Sequence, residues 1–267
     1  MSVYEPTAQV ASTSRNAGIS IAILAFSAFL IVTTEFLIVG LLPALARDLN
    51  ISIAVAGQLV TLFAFTVMVS GPPLTAALSH LPRKKLFIGI LLLFAAANAV
   101  AAASSSFWLL AVARVVPALA LPVFWGTASE TAGQLAGPQR AGQAISRVYL
   151  GISAAMLLGI PLGTVAASAV GWRGAFWLLA GLSLLMAVAM WIYMPSVARM
   201  AKVDFLQQAR IFREPRFLAN VLLSVVVFSA MFIAYTYLAD ILERVAGVAP
   251  ADVGWWMMGF GAIGLVG

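Results

Sequence analysis

Between Gly18 and Pro43 the chain carries a single charged side chain, Glu35, in an otherwise uncharged and mostly apolar run. Runs of the same kind recur at 54–78, 86–104, 107–129, 144–170, 174–194 and 217–239, and another starts near Ala251 and reaches Gly267. About 20 consecutive apolar residues in a helix suffice to cross the ~30 Å hydrocarbon layer of a bilayer. The pattern predicts seven membrane-spanning helices, the beginning of an eighth, and therefore an all-α membrane protein.

The polar intervals are short almost everywhere, which makes successive helices antiparallel neighbours. The exception is 195–216, where Arg199, Lys202, Asp204, Arg210, Arg213, Glu214 and Arg216 give a stretch too charged to insert. It divides the chain into a cytoplasmic tail (1–17), a six-helix bundle (18–194), a cytoplasmic linker (195–216) and the start of a second bundle (217–267) with a seventh helix and an incomplete eighth. Within the linker, 204–213 are expected to form a short surface helix with Phe205, Leu206, Ala209, Ile211 and Phe212 toward the membrane. The first apolar run is too long for the core of a signal peptide and is expected to stay as a helix.

Composition sharpens this. The chain is 63% hydrophobic and 9% charged, against about 25% charged in a soluble domain, and its mean hydropathy is +1.05. A net charge of +6 would suggest nucleic acid if the basic residues were spread evenly. They are not. With the N-terminus in the cytoplasm, eleven lie in inner segments (Arg15, Arg83, Lys84, Lys85, Arg140, Arg147, Arg199, Lys202, Arg210, Arg213, Arg216) and three in outer loops (Arg47, Arg173, Arg244). That is the positive-inside bias of a multi-pass protein, and no nucleic-acid partner is implied. With no cysteine and one histidine, His80, neither a disulfide framework nor a thiolate metal site is possible; metal and cofactor chemistry are not expected.

Two charges are left at membrane depth, Glu35 and Arg114. Each costs about 2.5 to 3.5 kcal/mol on insertion scales, so such residues usually have a partner and a function. Running outward, the first helix places Glu35 about 12 Å before Pro43; running inward, the fourth places Arg114 about 10 Å after Phe107. The two should share a depth in the outer half and meet directly or through one water. A carboxyl in a low-dielectric cavity favours its neutral form, and a neighbouring guanidinium favours the charged one, so the pair could load and release a proton as its surroundings change. The alternative is a static ion pair that orients two helices.

The loop between the second and third helices reads Gly71-Pro-Pro-Leu-Thr75-Ala-Ala-Leu-Ser79-His80-Leu-Pro82-Arg83-Lys84-Lys85. It resembles the signature loop of the major facilitator superfamily, Gly-x-Leu-x-Asp-Arg-x-Gly-Arg-Lys, with Arg83 and Lys84 at the basic end and Thr75, Ser79, His80 and Pro82 replacing the Gly, Asp, Arg and Gly. Gly151 through Gly159-Ile-Pro161-Leu-Gly163 resembles the Gly-Pro motif of proton-driven antiporters, and Gly171-Trp172-Arg173-Gly-Ala-Phe176 the start of their sixth helix. With Thr34-Glu35-Phe36, Gly40-Leu-Leu-Pro43 and Arg114 in order, the chain from about residue 17 onward is similar to the twelve-helix branch that includes bacterial sugar-efflux and chloramphenicol-resistance-type exporters. Physics independent of the family gives the fifth-helix motif a use. Small residues let helices approach closely in a membrane and Pro161 removes a backbone donor and bends the helix, which suits a seal or pivot as well as ordinary packing.

The resemblance implies a major-facilitator-type bundle, its first six helices two inverted three-helix repeats, with a cavity lined by helices one and four between two six-helix halves. It implies proton-coupled efflux of a small molecule such as a sugar or drug by alternating access, in a bacterial inner membrane, with protons, substrate and lipid as partners. Glu35 would carry the proton, and Arg114 would hold it charged in one state and contact a polar or anionic substrate group in another. Thr34, Trp125 and Tyr235 are candidate cavity residues; Arg83, Lys84, Gly159, Pro161, Gly163 and Arg173 belong to the gating motifs. Tyr237 is expected in the interfacial aromatic belt, and Asn98 and Asn220 as polar glue between helices.

Proton-coupled import is the runner-up. A complete twin-bundle transporter would need roughly 390 residues, so this chain is expected to be either part of a longer protein or a truncated product without transport. An intramembrane enzyme would need a catalytic set, and the sequence has no His-Glu-x-x-His, Gly-x-Ser-Gly or second intramembrane carboxylate. A membrane scaffold or sensor would be expected to carry a soluble domain or long tail.

Overall fold

The computed structural model describes residues 7–197 and 214–266, and every regular element among them is helical. In chain order these are α1 (Thr7–Asp48), α2 (Ile53–Leu78), α3 (Arg83–Ala103), α4 (Phe107–Ala136), α5 (Ala141–Ala154), α6 (Ile160–Tyr193), α7 (Pro215–Thr236), α8 (Leu238–Arg244) and α9 (Val253–Val266). Seven stretches are long and apolar enough to cross a membrane. The surface helix expected at 204–213 lies outside the described residues.

Local chemistry sets most boundaries. Ser52 and Ser106 cap α2 and α4 by accepting from the amides of Val55 and Leu109, which satisfies donors that a helix start leaves open. Gly137, at φ 77°, ends α4 in a conformation that costs glycine little. Two boundaries differ from expectation. α1 begins at Thr7, inside the expected tail, and runs through Pro43 to Asp48, because a proline removes a single donor and the flanking turns carry the helix on.

A π turn at Ala155–Gly159 joins α5 to α6, and Gly171, at φ 75° and ψ 162°, breaks α6. The fifth crossing is therefore α5, the π turn and α6 as far as Val170; the sixth is the remainder of α6. Arg173, just after the break, bonds to Asp48 at the end of α1 and to the carbonyl of Ser104 at the end of α3. That contact places the Gly171 turn with those helix ends, away from the basic end where Arg83 to Lys85 and Arg140 lie.

α1 is the buried axis of the bundle. Toward the basic end Leu24, Ala28 and Ile31 pack with Phe87, Phe124 and Val148; toward the other, Leu37, Ile38 and Leu41 pack with Leu59, Leu110 and Phe176. The outer surface is apolar, with Trp108, Leu150, Trp177, Trp191 and most of α7 exposed, as a lipid-facing surface requires.

Candidate functional site

The central turn of α1 holds Thr33, Thr34, Glu35 and Phe36, of which the two threonines are buried and the other two half-exposed. Arg114, buried on α4, reaches across to this turn. Its Nη1 donates to the carbonyl of Thr34 at 2.6 Å and its Nη2 to the carbonyl of Glu35 at 2.7 Å. Its guanidinium lies 4.3 Å from the centre of the Phe63 ring, and its Nε has no partner among the described residues. Asn98 of α3 donates to Thr34 Oγ1 at 3.2 Å.

The shared depth expected for Glu35 and Arg114 is present, but a direct contact between the two side chains is not. The guanidinium fork ends on the backbone, where carbonyls already in a helical ladder keep a second lone pair. Among the described residues the Glu35 carboxylate makes no hydrogen bond or ion pair. It faces a cavity of about 720 Å³.

That cavity is framed by α1, α2, α4 and α7, with Glu35, Phe36, Phe63 and Arg114 on the bundle side and Phe232 and Tyr237 on α7. Thr34, Trp125 and Tyr235 are not in its lining. Thr34 turns inward to Asn98. Trp125, half-buried, packs edge-on to Phe124 at 5.5 Å against the core toward the basic end, and Tyr235 lies edge-on to Phe232 at 6.1 Å against the apolar core. Tyr237, expected in the interfacial belt, lines the cavity and sets its ring over Gly57. Phe36 of the Thr34-Glu35-Phe36 motif also lines it, as do Phe63, Phe228 and Phe232, which were not singled out by sequence. The spacing of 228 and 232, one helical turn apart, was the available signal.

The motif residues occupy three other places. At the basic end Arg83, fully buried at the start of α3, donates to Glu130 of α4 at 3.1 Å, with its Nε and Nη1 unpartnered among the described residues; Lys84 is half-exposed. At the opposite end Arg173 pairs with Asp48 at 2.7 Å and lies 4.1 Å over the Trp172 ring. Arg47 pairs with Glu243 at 2.8 Å, tying α1 to α8, and Gly254 of α9 packs against the carbonyl of Pro161. Between the ends, Gly151, Gly159 and Gly163 all face α1: a side chain at these positions would meet the carbonyl of Ala25, the Thr33 hydroxyl and Leu37 respectively. The helix that carries the Gly-Pro motif is thus seated against the turn that carries Glu35.

A family model for the Major Facilitator Superfamily matches residues 24–267. The chain belongs to this superfamily. Among its relatives, an uncharacterized MFS-type transporter of Bacillus subtilis, YtbD, is 34% identical over 89% of this chain and 60% of its own length. The chloramphenicol efflux pump Rv0191 of Mycobacterium tuberculosis is 31% identical over 98% of this chain and 65% of its own, and a probable sugar efflux transporter of Helicobacter pylori is 28% identical over 92% and 63%. The chain thus spans about three fifths of the length of these major-facilitator relatives. The crystal structure of a bacterial homolog of the human lysosomal transporter Spinster, inward-facing and unoccupied, superposes with a TM-score of 0.80 over 92% of this chain and 59% of that one. At 16% identity that match speaks to the fold. The major-facilitator assignment, with its multi-pass membrane architecture, sets aside the intramembrane-enzyme alternative.

Proposed function

We propose that this chain forms the first bundle and the start of the second in a proton-coupled exporter of a small molecule, working by alternating access. One observation carries the reading: a carboxylate at membrane depth, without a hydrogen-bond or ion-pair partner among the described residues, facing a cavity of about 720 Å³. Such a group is free to take a proton from one side, release it to the other and give way to substrate between. Arg114 is a positioning residue, since its fork on the Thr34 and Glu35 carbonyls holds the α1 turn whether Glu35 is charged or neutral. The names of the chloramphenicol and sugar efflux relatives support export of a sugar or drug over import.

In this reading the basic end is cytoplasmic, with the N-terminus, because Lys and Arg concentrate there, and the membrane is a bacterial inner membrane. Residues 195–216 link the two bundles. The contacts of Arg47 with Glu243, Tyr237 with Gly57 and Gly254 with Pro161 close the outer end, and opening it requires that they part. Arg83 with Glu130 steadies the inner ends of α3 and α4.

The test is flux in proteoliposomes carrying the full-length protein under an imposed proton gradient, with chloramphenicol and a panel of sugars as probes. Wild type should move a probe against its gradient and in the direction opposite to protons. Glu35→Gln should abolish uphill movement while allowing downhill exchange. Uphill export by Glu35→Gln at the wild-type rate would sink the proton-carrier role, and movement of probe and protons in the same direction would establish import.

A further inference from the structure

Another cavity, of about 630 Å³, opens at the end away from Arg83, between α1, the turn into α2 and α8. Arg47 lines it from α1 and Arg244 from α8, Asn50 and Ser52 line it from the turn, and Ile51 and Ile53 give it an apolar wall. No acidic side chain among the described residues is in the lining. The carboxylates that pair with the two arginines lie behind them. Arg47 Nη1 is 2.8 Å from Glu243, the arginine side chain 58% exposed and the glutamate 14%; Arg244 Nε is 2.7 Å from Asp240, at 69% and 22%. Both pairs thus turn the cation outward and hold the anion in. Each pair uses one guanidinium nitrogen, and among the described residues the remaining nitrogens have no partner.

Every polar side chain in this lining can donate. An arginine presents donors and no acceptor, the Asn50 amide nitrogen donates, and the Ser52 hydroxyl keeps its proton while its oxygen accepts from the Val55 amide. Donors that carry positive charge favour an oxyanion. A carboxylate has a single pair of oxygens, which one fork occupies, whereas a phosphate has oxygens enough for guanidinium groups on different helices. Inorganic phosphate alone would leave Ile51 and Ile53 uncovered and much of the volume empty. A phosphate that carries an apolar body fits both parts of the cavity.

We propose that this cavity binds an amphipathic phosphate ester, with the phosphate between Arg47 and Arg244 and the apolar body against Ile51 and Ile53. Two sources share that chemistry, a soluble phosphate ester and the headgroup of an anionic phospholipid. Arg47 belongs to the first bundle and Arg244 to the start of the second, so the site is complete in the arrangement described here, with the two ends in contact. Binding requires neither Glu35 nor a proton gradient.

Phosphorus NMR line broadening on the purified full-length protein in a neutral detergent, against empty micelles, tests this with phenyl phosphate and inorganic phosphate as probes. Phenyl phosphate should bind saturably and about tenfold tighter than inorganic phosphate, a difference of roughly 1.4 kcal/mol. Arg47→Gln and Arg244→Gln should each weaken it about tenfold, and Arg244→Lys, which keeps the charge but loses the fork, should weaken it less. Both arginine pairs are exposed on the cation side, so these changes should leave the melting temperature nearly unmoved. Ile51→Ser should narrow the gap between the two probes while leaving inorganic phosphate unchanged. Native mass spectrometry of protein exchanged into mixed micelles of phosphatidylglycerol and phosphatidylcholine separates the sources. Phosphatidylglycerol retained by wild type and lost in the double glutamine variant would assign the lipid headgroup; phenyl phosphate binding without such retention would assign a soluble ester. If neither phenyl phosphate nor phosphatidylglycerol binds, or if both bind as well with the two arginines replaced by glutamine, the site is overturned. Equal affinity for phenyl and inorganic phosphate would overturn the ester. Each of these outcomes leaves the export reading and its Glu35→Gln test untouched.

Discussion

A guanidinium that ends on two backbone carbonyls does a different job from one that ends on a carboxylate. The bonds of Arg114 to the carbonyls of Thr34 and Glu35 do not depend on the ionisation of the Glu35 side chain. Arg114→Leu removes both and should lower stability by at least about 1.5 to 3 kcal/mol, the scale of one bond to a charged donor. Arg114→Lys should fall between, because a single ammonium cannot span two acceptors as the planar fork does. Glu35→Gln, which removes a charge without a hydrogen-bond partner, should leave stability unchanged or raise it. Thermal melts of the purified variants check this order, and a Glu35→Gln protein destabilised as much as Arg114→Leu would point to an ion pair after all. The depth of these two residues could be read from their distance to the helix ends. Their mode of contact could not, since the rotation of α1 about its axis decides whether Thr34 or Phe36 faces the cavity, and neighbouring residues on a helix differ by about 100°.

The seating of the fifth crossing on α1 ranks three glycines by what lies opposite each. A methyl at Gly151 meets the Ala25 carbonyl, which is backbone, whereas methyls at Gly159 and Gly163 meet the side chains of Thr33 and Leu37. Side chains can rotate away and a helical backbone cannot. Gly151→Ala should therefore cost the most, within the about 1 to 3 kcal/mol typical of overpacking, with Gly159→Ala and Gly163→Ala below it; melting temperatures in detergent would show the order. The Gly-Pro motif and the Gly171 turn were legible because glycine and proline punctuate helices by their own backbone chemistry. The π turn at Ala155–Gly159 was not, because a proline such as Pro161 can be met by a kink, a break or a wider turn, and its own chemistry does not choose among them. Nor was the helix at 7–17, whose polar composition reads as tail.

The arrangement of the whole bundle predicts how it must move. At the end away from Arg83, α1 is tied to α8 by the exposed ion pair of Arg47 and Glu243, so alternating access requires that this pair open. This chain has no native cysteine, so in the full-length protein, with any cysteine beyond this chain replaced, Arg47→Cys with Glu243→Cys should be joined by a flexible bis-methanethiosulfonate cross-linker that spans the gap left by the two long side chains, stop transport, and release it on reduction. Full transport by the cross-linked protein would mean that the two ends do not separate. What the sequence determined alone is the set of spans, their antiparallel order and the concentration of basic residues on one side. A bilayer imposes length and polarity on each span separately, and those properties are written locally. The tertiary structure decided which face of each helix meets the cavity, that Arg114 grips backbone, and that Phe36, Phe232 and Tyr237 rather than Thr34, Trp125 and Tyr235 line the space beside Glu35. Those depend on helix rotation and approach, which are set by contacts between residues far apart in the chain.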